Sequence, residues 1–387
     1  MIENPDTRIL YLLPGKGQDH NEQFNDCLAQ LEHILDASKR IREGILKLTV
    51  FIDVTMIDEY IEIKRNFLFE LKRFFGNFSL PVSFVSQPPV EKKHLVAIET
   101  ILADLSGDAE IHHKIFNSTP YTVYERKGYR ELYCAGITSG CNGNMAQNVK
   151  EAFIQMRDIL KQEGFCFSNV VRQWGFIENI IGINEGKHQN YQIFNKIRSK
   201  FYSGEDFNWG YPAATAIGMN TGGVILEFIA LLPCKNEEVI PLRNPLQVDA
   251  HNYSEMILLS GNSNNQDNSF TPKFERGKFV KLPFLSRLFV SGTASIIDEK
   301  TEYAGDLEKQ TGITINNIFK LISNAVPRKF NSSTKFSYIR IYVKNAEGIN
   351  CVREICERRF NSEHFQFLIA DVCRENLLVE IEGCIDK

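Results

Sequence analysis

Residues 129–164 read YRELYCAGITSGCNGNMAQNVKEAFIQMRDILKQEG, and the reading of this stretch decides how the chain is organised. The opening YRELYCAGI is a short, largely apolar run ending in small residues, which predicts a strand. After it, Met145, Val149, Phe153, Met156 and Leu160 are spaced 4, 4, 3, 4. That spacing is one apolar stripe of an amphipathic helix laid on a sheet. The chain continues with a strand (SNVVRQWGFI), a helix (NYQIFNKIRSKFY) and two further strands (PAATAIGM and GVILEFIALL).

The same order recurs on both sides. Residues 8–103 run ILYLLPG, EQFNDCLAQLEHILDAS, ILKLTVFID, DEYIEIKRNFLFELKRFF, then PVSFVSQ and LVAIETI. Residues 285–387 run LSRLFVSGTASI, GDLEKQTGITINNIFKLISNA, FSYIRIYVKN, GINCVREICERRF, HFQFLIADVC and LLVEIEGCI. The helix faces agree: Phe24, Leu28, Leu31 and Leu35 in the first copy, and Leu307, Thr311, Ile315, Ile318 and Ile322 in the third. Internal lengths agree too, with Gly136 to Glu227 at 91 residues and Gly292 to Glu380 at 88. Each copy is a β-α-β-α-β-β unit whose helices can cover one sheet face only. The bare faces need partners, and three sheets packed about a threefold axis supply them. The predicted fold class is α/β (α+β): three tandem modules at 1–105, 106–245 and 246–387 forming a single-chain pseudo-trimer. The linker 234–284, with its SGNSNNQDNS run, reads as an exposed loop.

Composition narrows the function. With 387 residues, 43% hydrophobic and 24% charged, the chain has ample material for more than one core. A net charge of -4 argues against a nucleic-acid coat or a membrane-surface protein. Nine scattered cysteines without a C-x-x-C pair fit a reducing compartment better than a disulfide frame or zinc site. The first residues carry no basic leader, and no 18-residue apolar stretch occurs, so a cytoplasmic protein is expected. Neither a glycine-rich phosphate loop after a strand nor H-E-x-x-H is present, and His112-His113 stands isolated, so no cofactor and no metal are expected.

In the final run, ADVCRENLLVEIEG at 370–383, period-2 alternation places Glu380 and Glu382 together on one strand face. They either face water or carry chemistry.

The repeat order resembles the Rid (YjgF-type) family, whose separate chains form trimers with sites in the clefts between subunits. Deaminases of that family hold an imino acid with an arginine in a Pro-Ala-Arg-Ser type motif. Here the corresponding positions hold Ala214 and Ser83, and the third copy, around Gln366, offers no arginine. Longer strings resemble the chorismatases, built on the same fused fold. They are Arg172-Gln173-Trp174, YQIFN at 191–195 with Arg198, PAATAIG, NPLQV, Phe274-Glu275-Arg276, LFVSGTASI, Gly305-Asp306 with Gln310, and ADVCRENLLVEIEG. The resemblance implies an enzyme that releases pyruvate from chorismate, yielding a dihydroxycyclohexadienoate or a hydroxybenzoate, without a cofactor.

It assigns the catalytic acid to Glu380, leaving Glu382 as a support or a solvated residue. Two substrate carboxylates demand fixed guanidinium groups. Arg276 and Arg198 are the leading candidates, with Arg172 and Arg374 behind them. Tyr191 would be a ring wall or hydroxyl donor, and Cys373 would line the pocket. The turn Ser291, Gly292, Thr293, Ala294 and Ser295 would offer backbone N–H groups and a hydroxyl. Lys344 stands where an arginine is expected, and Asn190 and Gln192 stand where the family favours basic residues. The expected partner is a small carboxylate substrate, with no nucleic acid and no membrane, and the expected state is a monomer. The alternatives are a non-catalytic Rid-like binding protein and a Rid-type imine deaminase or hydrolase.

Overall fold

The computed structural model describes all residues except 1–6, 77, 104, 106, 141–143, 185–187, 234–237, 255–269, 284 and 326–333. The SGNSNNQDNS run lies outside the described residues. Three sheets carry the chain. The first is formed by β1 (Thr7–Leu12), β2 (Ile45–Ile52), β3 (Val82–Val85) and β4 (Val96–Ala103), in spatial order β1-β4-β2-β3. The second adds β5 (Glu110–Phe116), β6 (Thr119–Arg126), β7 (Tyr129–Ile137), β8 (Val170–Glu178), β9 (Ala213–Met219) and β10 (Val224–Pro233), in order β5-β6-β7-β10-β8-β9. The third contains β11 (Glu238–Leu242), β12 (Gly277–Lys281), β13 (Ser286–Ala294), β14 (Tyr338–Val343), β15 (Phe365–Ile369) and β16 (Val379–Asp386), in order β11-β12-β13-β16-β14-β15. Stripped of the leading hairpins, each sheet has the same strand order. In each, the last strand runs antiparallel between the first and second strands, and the third pairs parallel with the second.

The hairpins correct the sequence reading. Strand β5 alternates exposed and half-buried residues without an apolar face, and β12 carries Lys278 in its middle, so neither shows a strand's usual pattern. Asn117 and Ser118, both at positive φ, make the tight β5–β6 turn that right-twisted strands favour. β11 and β12 lie in the segment read from sequence as an exposed loop.

Each sheet carries two helices: α1 (His20–Ala37) and α2 (Ile57–Phe75), α3 (Met145–Gln162) and α4 (Asn190–Tyr202), α5 (Leu307–Ala325) and α6 (Ile349–Arg359). The predicted stripes are the buried faces. Phe24, Leu28, Leu31 and Leu35, then Val149, Phe153, Met156 and Leu160, then Thr311, Ile315, Ile318 and Ile322 all pack inward. Each fully buried large apolar side chain contributes about 1.5–3 kcal/mol. The helices close three separate outer cores, while a fourth core joins the opposite sheet faces, with Phe51, Trp174, Phe176, Phe289, Tyr338 and Tyr342 in one cluster. None of the helices among the described residues is long and apolar enough to cross a membrane.

That central core is charged along its middle. Glu99, Glu227 and Glu382, each the fourth residue of its module's last strand, are all buried. Lys47 reaches Glu227 at 2.8 Å and Glu99 at 3.6 Å, and Arg340 pairs with Glu99 and with Glu382, the latter at 2.7 Å. The strand register therefore aligns Glu227 with Glu382, two residues beyond the glutamate that chain length alone suggested.

Candidate active site

Helix α4 presents Tyr191, Asn195 and Arg198 at spacings of 4 and 3, which puts them on one face. That face looks across a seam between the second and third modules. Arg276 reaches the seam because the preceding residue is stitched to the second sheet: Glu275 bridges Ala213 in parallel, with its N–H donating to the Pro212 carbonyl at 3.0 Å. Gly292 and Ala294 of β13 and Glu380 of β16 form the opposite wall, and Cys373, Arg374 and Leu377 the end. Tyr253, Phe270, Pro272 and Phe274 from the long connection cover it.

Glu380 is 5% exposed. Burial, helped by the neighbouring Glu382 carboxylate and opposed by Arg172 and Arg276, pushes its pKa up to about 8. A carboxyl of that kind carries its proton at neutral pH. Its Oε1 rests on Gly292, where a Cβ would stand only 2.0 Å away, so only glycine leaves room for the acid.

Glu382 is not solvated. It is fully buried, bound by Arg172 at 2.5 Å and Arg340 at 2.7 Å, by the Trp174 indole N–H at 3.0 Å and by the Thr215 hydroxyl. Arg172 is thereby committed to the central core and does not line the cleft.

Arg198 and Arg276 differ from it. Arg198 is 1% exposed and donates to the Asn195 side chain at 2.7 Å; burial lowers its pKa from the ordinary arginine value. Arg276 is 4% exposed and donates to the Val248 carbonyl at 2.8 Å and to the Tyr253 hydroxyl. Neither has a carboxylate partner among the described residues. Two buried cations facing a cleft without counter-anions make a receptor for a dicarboxylate. Arg374, over the Tyr253 ring and donating to the Glu299 carbonyl at 2.9 Å, adds a third positive group at the rim.

Cys373 lines the cleft as a thiol, since burial and the nearby Glu380 push it up to about 12. Burial also raises the Tyr191 phenol, leaving it a neutral hydroxyl. Three expected contributors lie outside the lining. The Ser291 hydroxyl donates to the Glu275 carbonyl at 2.6 Å and accepts the Ala214 N–H at 3.0 Å. The Thr293 hydroxyl donates to the Ser291 carbonyl at 2.8 Å, and the Gly292 N–H goes to Thr215 at 3.0 Å. Lys344 donates to the Glu375 carbonyl at 2.8 Å, away from the cavity. Residues that sequence reasoning passed over are Asn195, Ala216 and the Tyr253–Phe270–Pro272 cover. For Asn195, the helical spacing with Tyr191 was the available signal.

Comparison with known proteins bears on the family and the fold. Residues 116–230 match the family model described as chorismatase FkbO/Hyg5-like, N-terminal. A crystal structure of a chorismatase superposes over 100% of both chains with a TM-score of 0.69 at 20% identity, which establishes the shared fold. A chorismatase of Streptomyces rapamycinicus is 27% identical over 252 residues, 63% of this chain and 71% of that one. A 3-hydroxybenzoate synthase of Streptomyces hygroscopicus is 30% identical over 265 residues, 66% of this chain and 73% of its own length. At that identity and coverage, on a full-length match of fold, the chain belongs to the chorismatase family.

Proposed function

We propose that the protein releases pyruvate from chorismate, with Glu380 as the proton donor and Arg276 and Arg198 as the carboxylate clamps. One observation carries this reading: a buried glutamate whose pKa burial raises shares a cleft with two buried guanidinium groups that have no carboxylate partner among the described residues. Chorismate is an enol ether bearing two carboxylates. Glu380 gives its proton to the terminal methylene carbon, leaving an oxocarbenium-like centre at the ether carbon. Water adds there, and the resulting hemiketal collapses to pyruvate and the ring alcohol. A dihydroxycyclohexadienoate forms if the ring keeps its hydroxyls, and one water is consumed. A hydroxybenzoate forms if the ring then loses water and aromatises, with no net water consumed. General acid catalysis of this kind contributes about 10²–10⁴-fold, and positioning by bidentate arginines adds to it. Ser291 and Thr293 stay off the substrate in this scheme, their hydroxyls bracing the backbone around Gly292, and Lys344 takes no part in it.

The same reading takes the modules as 1–105, 106–245 and 246–387 of one cytoplasmic monomer acting on a small carboxylate, with the mass in solution as its check. Incubation with chorismate tests the activity, with pyruvate followed enzymatically and ring products by chromatography. Wild type is expected to form pyruvate and Glu380→Gln none; a wild-type protein that forms no pyruvate sinks the proposal.

A further inference from the structure

We propose that Glu382 is a positioning residue for this reaction: its carboxylate backs the Glu380 acid from two residues along the same strand face, and its hold on Thr215 fixes the surface on which that acid rests. The inference builds on the proposed function and concerns a group that never touches substrate. Glu380 and Glu382 lie on the same face of β16, two residues apart, and both are buried. Glu382 grips the Thr215 hydroxyl; Thr215 is also met by Arg172 at 2.7 Å and accepts the Gly292 N–H at 3.0 Å. Gly292 in turn is the platform under the Glu380 carboxyl. The chain Glu382–Thr215–Gly292–Glu380 thus crosses the seam between modules through direct contacts.

Charge acts along the same path. Facing Glu380 are Tyr191 and Arg198 from α4, Arg276 ahead of β12, Cys373 and Arg374 from the loop before β16, Arg172 from β8, Tyr342 paired across β14, and Glu382. Facing Glu382 are Arg172 and Trp174 from β8, Arg340, Tyr338 and Tyr342 from β14, and Glu99 beyond Arg340. Without the Glu382 charge, burial alone would oppose the pull of Arg172 and Arg276, and Glu380 would give up its proton at a lower pH.

The test is a pair of titrations on the intact chain, wild type against Glu382→Gln. Pyruvate release is followed across pH. In parallel, without substrate, infrared difference spectroscopy follows the protonated carboxyl band that disappears in Glu380→Gln. Both midpoints are expected to fall by about one pH unit, so that the rate at about pH 8 drops roughly fivefold while the rate at acid pH changes far less. A loss of equal size at every pH with an unmoved carboxyl midpoint overturns the proposal. Should Glu382→Gln not fold, Glu382→Gln/Arg340→Met removes one buried cation with the anion and carries the same titrations. Thr215→Val, which keeps the charge and cuts the hydroxyl link, is expected to lower the rate severalfold without moving the midpoint; an unchanged rate sinks the positional half. If wild type makes no pyruvate, the functional reading fails, and the infrared midpoint still decides whether Glu382 governs the proton on Glu380.

Discussion

The three seams between modules share a buried glutamate at one strand position, and among the described residues the second–third seam adds a second buried glutamate facing arginines. At the second position of each last strand stand Ala97, Ile225 and Glu380; at the fourth stand Glu99, Glu227 and Glu382. The fourth-position carboxylates are paired with Lys47, Arg172 and Arg340 and hold the modules together. The second-position carboxyl is the one placed over a cleft with arginines. The first–second seam even repeats the glycine contact, the Gly136 N–H donating to Ser83 at 2.7 Å as Gly292 does to Thr215, yet Lys64, Leu68, Phe75 and Phe78 line its cleft. The third–first seam offers Tyr11, Ala97, Arg353 and Gln366. A carboxylate's state here is set by its partners, two residues along one strand separating a charge held in ion pairs from a carboxyl whose pKa burial raises.

Four measurements press on that contrast. The largest effect belongs to Glu380→Gln, expected to cut kcat by about 10³-fold or more with folding intact, because the amide is isosteric with the neutral acid; a pyruvate assay and a melting curve together check it. Next comes Lys47→Met, expected to destabilise the fold by about 3–5 kcal/mol, since Glu227 and Glu99 lose their shared buried cation; denaturant unfolding reads this. Arg276→Ala is expected to lower kcat/KM by about 10²-fold, with Lys restoring part of it, because a point charge cannot hold a carboxylate through two bonds. Smallest and most discriminating is a glycine pair. Gly292→Ala pushes a methyl into the Glu380 carboxyl and should cost about tenfold or more in kcat, whereas Gly136→Ala meets the Val82 carbonyl at 2.1 Å at positive φ and should lower the melting temperature instead.

The pH dependence has a definite sign. Glu380 has its folded pKa raised, so its contribution to stability is fully present below the unfolded glutamate value and is lost as pH rises toward about 8. Between about pH 5 and 7.5 the wild type should lose about 1.4 kcal/mol per pH unit relative to Glu380→Gln. Unfolding midpoints at three pH values check it, and parallel curves for the two proteins would remove the buried acid from the account.

The repeat was legible because a helix covering one sheet face must show a 3.6 period, and Val149, Phe153, Met156 and Leu160 do. Glu380 was legible through its string. Whether Glu382 is a support or solvated was not, because alternation puts both on one face and the partners that bury it, Arg172 and Arg340, are distant in sequence. Tyr253 and Phe270 were hidden for another reason: apolar residues scattered in a polar connection show no period until a cleft gives them something to cover.

The stitch of Glu275 to Ala213 makes the consequence of covalent linkage concrete. In an assembly of identical subunits, every residue placed at one interface appears at all of them, and a sheltered, unpaired acid would carry its desolvation penalty three times. Joined end to end, the repeats are free to differ, so the molecule bears that instability once, at a single joint.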